Sequence, residues 1–159
     1  MLSFNSKGHL KPSGLIHSTI DEMKEILVDG FDSETRLVHF QNFLKYSHEL
    51  KQLLGGMKLT QWIDGSFVTK KLNPKDIDLV TFVKHNLIKK TGQKLAPFKA
   101  GKSWETFGVD AYIIEIHPEG SKTQMFTDLD KAYWNNQFLM SVRNRKGERF
   151  QKGFLEIIH

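Results

Sequence analysis

Apolar residues recur at helical spacing in two stretches near the start of the chain. We expect a first helix to begin after Ser18, which can cap it, and to end near Gly30. A longer second helix follows Ser33 and stops at the pair Gly55-Gly56, because glycine favours the backbone conformation that ends a helix. The apolar stripe of this second helix is predicted to be core and comprises Leu37, Phe40, Phe43, Leu44, Leu50, Leu53 and Leu54.

Shorter runs in which apolar and polar residues alternate predict β-strands in the remaining chain. The predicted strands are 59–63, a run from Asp76 onward, 109–116 and 154–158. An aromatic helix is expected over 129–143, and a basic connection that contains glycine and proline over 84–107.

This order of elements predicts an α+β fold with a small mixed or mostly antiparallel sheet and helices packed largely against one face. A chain of 159 residues, 39% of them hydrophobic, can bury one core but hardly two. We therefore predict an extended N-terminal arm over 1–14, where Gly8, Pro12 and Gly14 discourage regular structure. Residues 15–159 are expected to form a single domain.

Composition excludes several kinds of site and narrows the expected location. The chain has no cysteine, which excludes disulfides, thiolate zinc sites and thiol nucleophiles. The N-terminus lacks a signal pattern and no apolar run approaches membrane-spanning length, so we expect a cytoplasmic protein without a membrane partner. The formal net charge of +5 is compatible with polyanionic partners, but the lysines are spread along the chain, and surface lysine is the commoner explanation.

The most informative motif is a pair of aspartates, Asp76 and Asp78, which follows the pair Gly65-Ser66 along the chain. Side chains alternate between faces along a strand, so both carboxylates are expected on one face. Two neighbouring carboxylates repel each other unless a cation lies between them, and Mg²⁺ prefers oxygen ligands of this kind. Glycine lets a phosphate approach the backbone, and serine adds a hydroxyl donor. The motif therefore predicts a site for a cation and a polyphosphate.

In this order the residues resemble the signature of the DNA polymerase beta nucleotidyltransferase superfamily, in which a Gly-Ser turn precedes Asp-x-Asp on the next strand. Further likeness lies in Trp-Ile-Asp-Gly-Ser-Phe at 62–67, Pro-Lys-Asp-Ile-Asp at 74–78, the segment 109–112, and Lys-Gly-Phe-Leu-Glu-Ile at 152–157. Over most of its length the chain is similar to an uncharacterised family of small bacterial nucleotidyltransferase-like proteins. The resemblance implies a nucleotidyltransferase fold but carries no settled substrate.

The superfamily uses a third carboxylate on a neighbouring strand, and the strand 109–116 offers two candidates. Asp110 lies on the face of Tyr112, whereas Glu115 lies on the opposite face, so the two can hardly serve one site. We select Asp110 because it lies at the entrance of the strand, where side chains reach a cleft at the sheet edge. Glu115 stays open as the alternative.

The resemblance also implies an activity, the transfer of a nucleoside monophosphate from a nucleoside triphosphate such as ATP to a hydroxyl, with release of pyrophosphate. Two Mg²⁺ ions, or Mn²⁺ in their place, would be held by Asp76, Asp78 and Asp110. The predicted nucleotide-binding residues are Gly65, Ser66 and Lys75, with Lys70 and Lys71 in the same loop. The acceptor is expected to be a protein hydroxyl or an RNA end, and the base of the triphosphate stays open.

Three other patterns have simpler explanations. Residues 96–103 satisfy a loose Walker A expression, but a lysine-rich segment rather than a buried strand precedes them, so we interpret them as a decoy. The basic run over 143–152 could line a nucleotide or RNA groove, although a solvated turn is the commoner outcome. The seven histidines lack the short helical spacing that zinc sites favour and are expected to be ordinary surface or core residues.

Two functions of other classes are also considered. The first is a catalytically silent protein of the same fold that binds a partner protein, as an antitoxin-like or regulatory module would. Against it, a binding surface has no need to hold two repelling carboxylates on one face. The second is a nucleic-acid-binding module, which rests on the basic balance and on the run 143–152.

Overall fold

The computed structural model describes residues 1–159, which fold around a five-stranded sheet accompanied by a two-stranded one. The strands are β1 (Ser3–Phe4), β2 (Leu10–Lys11), β3 (Gly14–Ser18), β4 (Thr60–Asp64), β5 (Asp78–Lys84), β6 (Asp110–Ile116) and β7 (Gly153–Ile158). The helices are α1 (Ile20–Lys24), which continues as a π-helical turn (Glu25–Asp29), α2 (Glu34–Leu53), α3 (His85–Thr91), α4 (Lys102–Phe107) and α5 (Gln124–Leu139). None of these helices combines the length and the apolar character that crossing a bilayer requires.

The larger sheet has the strand order β3-β7-β4-β5-β6. β4 runs antiparallel to both of its neighbours, whereas the outer pairs β3-β7 and β5-β6 are parallel. The α+β class is confirmed, and of the two predicted arrangements the mixed sheet is the one observed. The parallel pair β5-β6 arises because residues 84–107, expected only as a connection, form α3 and α4 and carry the chain back before β6 begins.

Alternation along the strands gives the sheet two apolar faces, and each is covered by helices. Odd-numbered residues such as Ile63 and Leu79 face the main core, to which α1, α2, α3 and α4 contribute. Even-numbered residues such as Trp62 and Val80 face a smaller cluster that includes Phe138 of α5. Packing against one face therefore holds for the first four helices and fails for α5, because the second face is also apolar and needs its own cover.

The helix starts follow local capping chemistry, with one shift from the predicted position. Thr19, rather than Ser18, caps α1, because the Thr19 side chain accepts a hydrogen bond from the Glu22 backbone N–H at 3.1 Å. Ser33 caps α2 as predicted, accepting from the Arg36 N–H at 3.3 Å.

The buried face of α2 differs from the predicted stripe at two positions. Leu37 and Leu44 are exposed, with relative accessibilities of 41% and 36%. The face that packs against the sheet instead runs through Arg36, His39, Phe40, Phe43, Tyr46, Ser47 and Leu50. Several core positions of α2 are thus polar, and a search for apolar periodicity does not find them; they are Arg36, His39 and Ser47.

The N-terminal arm lies against the rest of the fold. Leu2 and Leu10 are buried members of the main core. The Lys70 backbone N–H donates to the Gly8 carbonyl at 2.8 Å, which joins the arm to the loop between β4 and β5. The arm therefore reaches the edge of the sheet where the predicted site lies.

Two segments near the second half of the chain also shift from their predicted bounds. The aromatic helix, expected over 129–143, spans 124–139, and the last strand begins one residue earlier than expected. The Walker-like segment begins inside a 3₁₀ helix (Gly92–Phe98) that follows α3, and no strand precedes it directly. Its Ser103 is buried and accepts a hydrogen bond from the Ala111 N–H at 3.1 Å, which is a structural role.

Candidate active site

Three aspartates form a row across neighbouring strands at one edge of the sheet. Asp64 ends β4, and Asp78 and Asp110 begin β5 and β6. In the register of the sheet, Asp64 pairs with Asp78, and Asp78 pairs with Asp110. Adjacent strands lie about 4.8 Å apart, and all three residues share the even-numbered face, so their carboxylates lie side by side. Sequence reasoning gave Asp64 no role beyond the end of a strand.

Asp76 joins this row from a loop and not from a strand, which corrects the prediction that both aspartates of the motif alternate along one strand. β5 begins only at Asp78. The intervening Ile77 is fully buried, and its carbonyl accepts a hydrogen bond from the Asp110 N–H at 3.1 Å. That anchor fixes the loop, and both Asp76 and Asp78 line the same cleft.

The two candidates for a third carboxylate separate as the strand pattern predicts. Asp110 lines the cleft beside Asp78, whereas Glu115 does not. Glu115 lies near the far end of β6, where its carboxylate contacts His85 and His117. The structure therefore brings Asp76, Asp78 and Asp110 together in one cleft and places Glu115 outside it.

The clustered carboxylates have no cation that compensates them directly. None of Asp76, Asp78 and Asp110 forms a salt bridge within the protein. Burial raises the pKa of Asp78 to about 7, and repulsion from Asp76, Asp64 and Asp110 adds to that rise. At neutral pH Asp78 is therefore only partly ionised, and a bound cation would stabilise its ionised form.

A buried ion pair supports the row from beneath. Lys152, just before β7, donates to the carboxylate of Asp64, and both side chains are buried. Burial raises the pKa of Asp64 to about 6, although the Lys152 ammonium opposes that rise. Asp64 is thus ionised at pH 7, and the ammonium of Lys152 neutralises its charge, whereas Asp78 has no such partner. In the sequence, Lys152 stood in a basic run and at the start of the segment 152–157, and nothing in its spacing pointed to Asp64.

Gly65 occupies a position that only glycine can fill. Its φ is +83°, and a Cβ built there would overlap the Oδ2 of Asp78. The chain can therefore turn sharply over the carboxylate row only because Gly65 has no side chain. Ser66 follows in a short 3₁₀ turn and lines the cleft, and its carbonyl is held by the Thr69 hydroxyl at 2.7 Å.

The loop that carries these residues is fixed by one buried guanidinium. Arg36 of α2 is fully buried and has no carboxylate partner. It donates instead to backbone carbonyls of Leu27 (2.7 Å), Phe67 (2.8 Å), Thr69 (2.6 Å), Lys71 (2.5 Å) and Leu72 (3.3 Å). Burial lowers the pKa of Arg36 to about 10, which still leaves it charged. Arg36 therefore holds four carbonyls of the loop between β4 and β5 and was missed because it interrupts an apolar stripe.

A cleft of about 910 Å³ opens over the carboxylate row, within the size range of small-molecule sites. Its basic side includes Lys70 and Lys71 of the motif loop, whereas Lys75 is exposed and does not line the cleft. The opposite wall is aromatic and is formed by Tyr112, Tyr133 and Trp134.

The aromatic wall reaches down to the carboxylates. The rings of Tyr112 and Trp134 lie 4.4 Å apart between centroids, and those of Tyr133 and Trp134 lie 5.4 Å apart. Burial raises the pKa of Tyr112, and the nearby carboxylates of Asp110 and Asp78 contribute to that rise. The cleft thus combines a flat apolar surface with a concentrated negative site.

A second, shallower depression continues from the cleft along the segment after α5. It is lined by Arg143, Arg145 and Lys146 and shares Lys7 and His9 of the N-terminal arm with the main cleft. Arg143 donates to the Gly147 carbonyl at 2.7 Å, so part of the basic run closes its own turn. The run is therefore both a solvated turn and the basic margin of the cleft.

The donor set suits a hard divalent cation. Carboxylate oxygens are the ligands that Mg²⁺ and Mn²⁺ take in proteins, and the site is open to the solvent that completes their coordination. Asp76, Asp78 and Asp110 offer such oxygens from two strands and one loop, without a competing lysine or arginine in salt-bridge contact. The arrangement can hold a cation beside a polyanionic ligand.

No curated protein and no solved structure matches the chain. The model of one protein family matches residues 2–158, almost the whole length. The protein belongs to this family, DUF6932, a family of unknown function.

Proposed function

We propose that this protein is a metal-dependent nucleotidyltransferase that moves a nucleoside monophosphate from a nucleoside triphosphate to a hydroxyl acceptor. The observation that carries the proposal is the group formed by Asp76, Asp78 and Asp110, uncompensated by any cation and open to a cleft beside the Gly65-Ser66 corner. Uncompensated charge of one sign costs stability, and a fold keeps such a cluster where a ligand uses it. The motif order and the nucleotidyltransferase-like sequence pattern support the same reading of the fold.

Magnesium held by Asp76, Asp78 and Asp110 would neutralise the triphosphate and lower the pKa of the attacking hydroxyl. The protein's own part is to hold these oxygens together. The register of β5 with β6 fixes Asp78 beside Asp110, and the buried Ile77 between the motif aspartates fixes the approach of the loop.

The other walls of the cleft suit the remaining parts of a nucleotide. The aromatic surface of Tyr133 and Trp134 can stack on a base, because every base has a π-face. Lys70 and Lys71 lie on the rim and can meet phosphate charge, together with the free hydroxyl of Ser66. Lys75, which lies outside the cleft, is dropped from this set.

The chemistry assigned to these residues is positioning and electrostatics. The acceptor oxygen bonds to the α-phosphorus as the bond to pyrophosphate breaks, and the hydroxyl proton leaves to solvent through the open cleft. Gly65 keeps the backbone close to Asp78, so a phosphate can approach both. Arg36 holds the loop carbonyls and thereby the shape of this corner.

The direct test is incubation of purified protein and Mg²⁺ with each α-labelled and γ-labelled triphosphate and a bacterial lysate as the source of acceptor. We expect label from the α-position, and none from the γ-position, on a macromolecule. Asp78→Asn should abolish the transfer, whereas Asp130→Asn, at an exposed position of α5, should leave it unchanged. Equal transfer by Asp78→Asn and the unmodified protein would refute the assignment.

A partner-binding module without catalysis is the second candidate, and one feature of α5 favours it. Met125, Phe126, Leu129 and Tyr133 lie on one helical face and are each more than half exposed, at 56%, 52%, 60% and 56%. An apolar face of this kind is typical of a docking surface. Under this alternative no triphosphate yields label, and Leu129→Lys removes partner binding while Asp78→Asn does not.

A further inference from the structure

A second polar cluster lies at the other end of the β5-β6 pair. The two strands are parallel, and their last paired residues are Lys84 and Ile116. The residue that follows each strand is a histidine, His85 on one and His117 on the other. Because parallel strands end at the same edge, the register brings both imidazoles together, beside Glu115 of β6.

The ligand atoms of these three residues are close enough to share one ion. One nitrogen from each histidine and one carboxylate oxygen all lie within 4.8 Å of one another. Glu115 is hydrogen-bonded to His85 Nδ1 through Oε1, and its Oε2 lies 3.9 Å from His117 Nε2. The two imidazole rings are 4.7 Å apart between centroids and inclined by 35°.

The backbone under the cluster is fixed by a buried threonine of α5. The Thr127 hydroxyl accepts from the His117 N–H at 2.9 Å and donates to the Glu115 carbonyl at 3.0 Å. The Nδ1 atom of His117 is buried and has no hydrogen-bond partner in the protein. A buried polar atom without a partner costs stability, so the cluster is incomplete as a set of internal hydrogen bonds.

We propose that His85, Glu115 and His117 form a binding site for a divalent transition-metal ion of the zinc class. Two imidazoles and one carboxylate are an established ligand set for zinc. Magnesium prefers oxygen ligands to imidazole nitrogen, so this set favours zinc over magnesium. Zinc binds such atoms at about 2 Å, which places tetrahedral ligands roughly 3.4 Å apart. The ligand atoms now lie within 4.8 Å of one another, so binding would have to adjust their spacing toward that arrangement.

The site would keep one coordination position open. The side chains of His85, Glu115 and His117 have relative accessibilities of 29%, 35% and 11%, so solvent reaches the cluster without surrounding it. Three protein ligands with water in the fourth position are typical of zinc sites that bind or activate a small ligand. In open sheets of parallel strands, ligands commonly bind at the carboxyl ends of the strands, and the cluster lies at that end of the parallel pair β5-β6.

This site is separate from the carboxylate cleft and does not depend on the proposed function. Glu115 lies five residues beyond Asp110 along β6, which corresponds to about 17 Å, and it points to the opposite face. The cluster also connects the start of α3 with the end of β6. A bound ion would therefore fix the start of α3 against the end of β6, the strand that comes after this helix in the chain.

Zinc titration by calorimetry tests the proposal, on untagged full-length protein stripped with a chelator. We expect one tight Zn²⁺ site per chain, retained in Asp78→Asn, and a loss of affinity of at least tenfold in His117→Asn and Glu115→Gln. The matched control is His17→Asn. His17 Nδ1 lies 2.9 Å from a carboxylate oxygen of Glu156, so this variant also removes a histidine–glutamate pair, but one that lacks a second histidine. Its zinc affinity should be unchanged.

A second readout uses the unmodified protein alone and is independent of how the variants fold. Co²⁺ should produce visible d–d absorption bands of an imidazole-ligated ion, and one equivalent of Zn²⁺ should remove them, whereas excess Mg²⁺ should not. Three results would each overturn the proposal: absence of zinc binding, zinc binding by His117→Asn and Glu115→Gln that is as tight as by the unmodified protein, or loss of zinc binding in Asp78→Asn.

Discussion

Replacing Asp78 by asparagine should stabilise the metal-free protein while it removes the proposed chemistry. Asp78 is a partly buried carboxylate whose neighbours Asp76, Asp64 and Asp110 are acidic, and no cation pairs with it. Asparagine has almost the same shape but no charge. The substitution therefore removes the repulsion and the burial of a charge, and leaves the packing of β5 intact.

The magnitude follows from the pKa of Asp78, which rises from 3.8 to about 7 in the folded protein. Each pKa unit corresponds to about 1.4 kcal/mol, so ionising this carboxyl in the fold costs on the order of 4 kcal/mol. The carboxylate is in part exposed and asparagine is itself polar, which reduces the expected gain to about 2 kcal/mol. For a chain of this size, that gain raises Tm by roughly 4–8 °C.

The gain should depend on pH in a defined direction. Below about pH 4, Asp78 is protonated in the folded and the unfolded chain alike, and the variant has no advantage. Between pH 4 and about 7 the folded protein keeps the proton that the unfolded chain has lost, so the stability of the unmodified protein falls as pH rises. Above about pH 7 the difference between the two proteins levels off.

Urea unfolding followed by circular dichroism at several pH values, with EDTA present, measures this difference. Asp130→Asn is the control, because Asp130 is exposed on α5 and should change stability little at any pH. Addition of Mg²⁺ should stabilise the unmodified protein and not Asp78→Asn, since only the first keeps the full set of carboxylates. A variant that is less stable than the unmodified protein at pH 8 in EDTA would contradict the reasoning.

Three further substitutions test other parts of the site. Gly65→Ala should abolish transfer and destabilise the fold more than Gly55→Ala does. Gly55 has a similar positive φ but open space around it, so the difference between the two urea midpoints measures the clash with Asp78 apart from the backbone strain. Arg36→Lys should cost about 3 kcal/mol or more in urea unfolding, because an ammonium cannot serve all the carbonyls that the guanidinium holds, and an unchanged midpoint would refute this role. Lys152→Met should cost about 3–5 kcal/mol at pH 8 by leaving Asp64 buried without its partner. The Lys152 ammonium holds the pKa of Asp64 down to about 6, so its removal raises that pKa further, and the loss of stability should shrink as pH falls from 8 toward about 6 and the variant takes up a proton first.

The sequence by itself determined the type and order of the main elements and the most conspicuous site residues. Strand alternation predicted that Asp110 and Glu115 face apart, and capping chemistry placed the start of α2 at Ser33. The Gly-Ser pair and the motif aspartates predicted a cation and phosphate site. These features are local, because each depends on residues a few positions apart, and a pattern along the chain is enough to reveal them.

Only the tertiary structure decided which distant residues complete the site. Asp64 stands beside Asp78 because of strand register, and Lys152 reaches Asp64 only because β7 pairs with β4. Arg36 lies on a helix that precedes the loop it holds by about thirty residues, a separation that no periodicity encodes.

The same holds for the histidines. They showed no short helical spacing, yet the parallel register of β5 with β6 brings His85 and His117 to Glu115 across a crossover of two helices. Register and crossover direction are set by the packing of apolar faces over the whole sheet, and a linear pattern does not contain them. The sequence therefore indicates what each residue can do chemically, whereas the fold determines which residues lie next to one another.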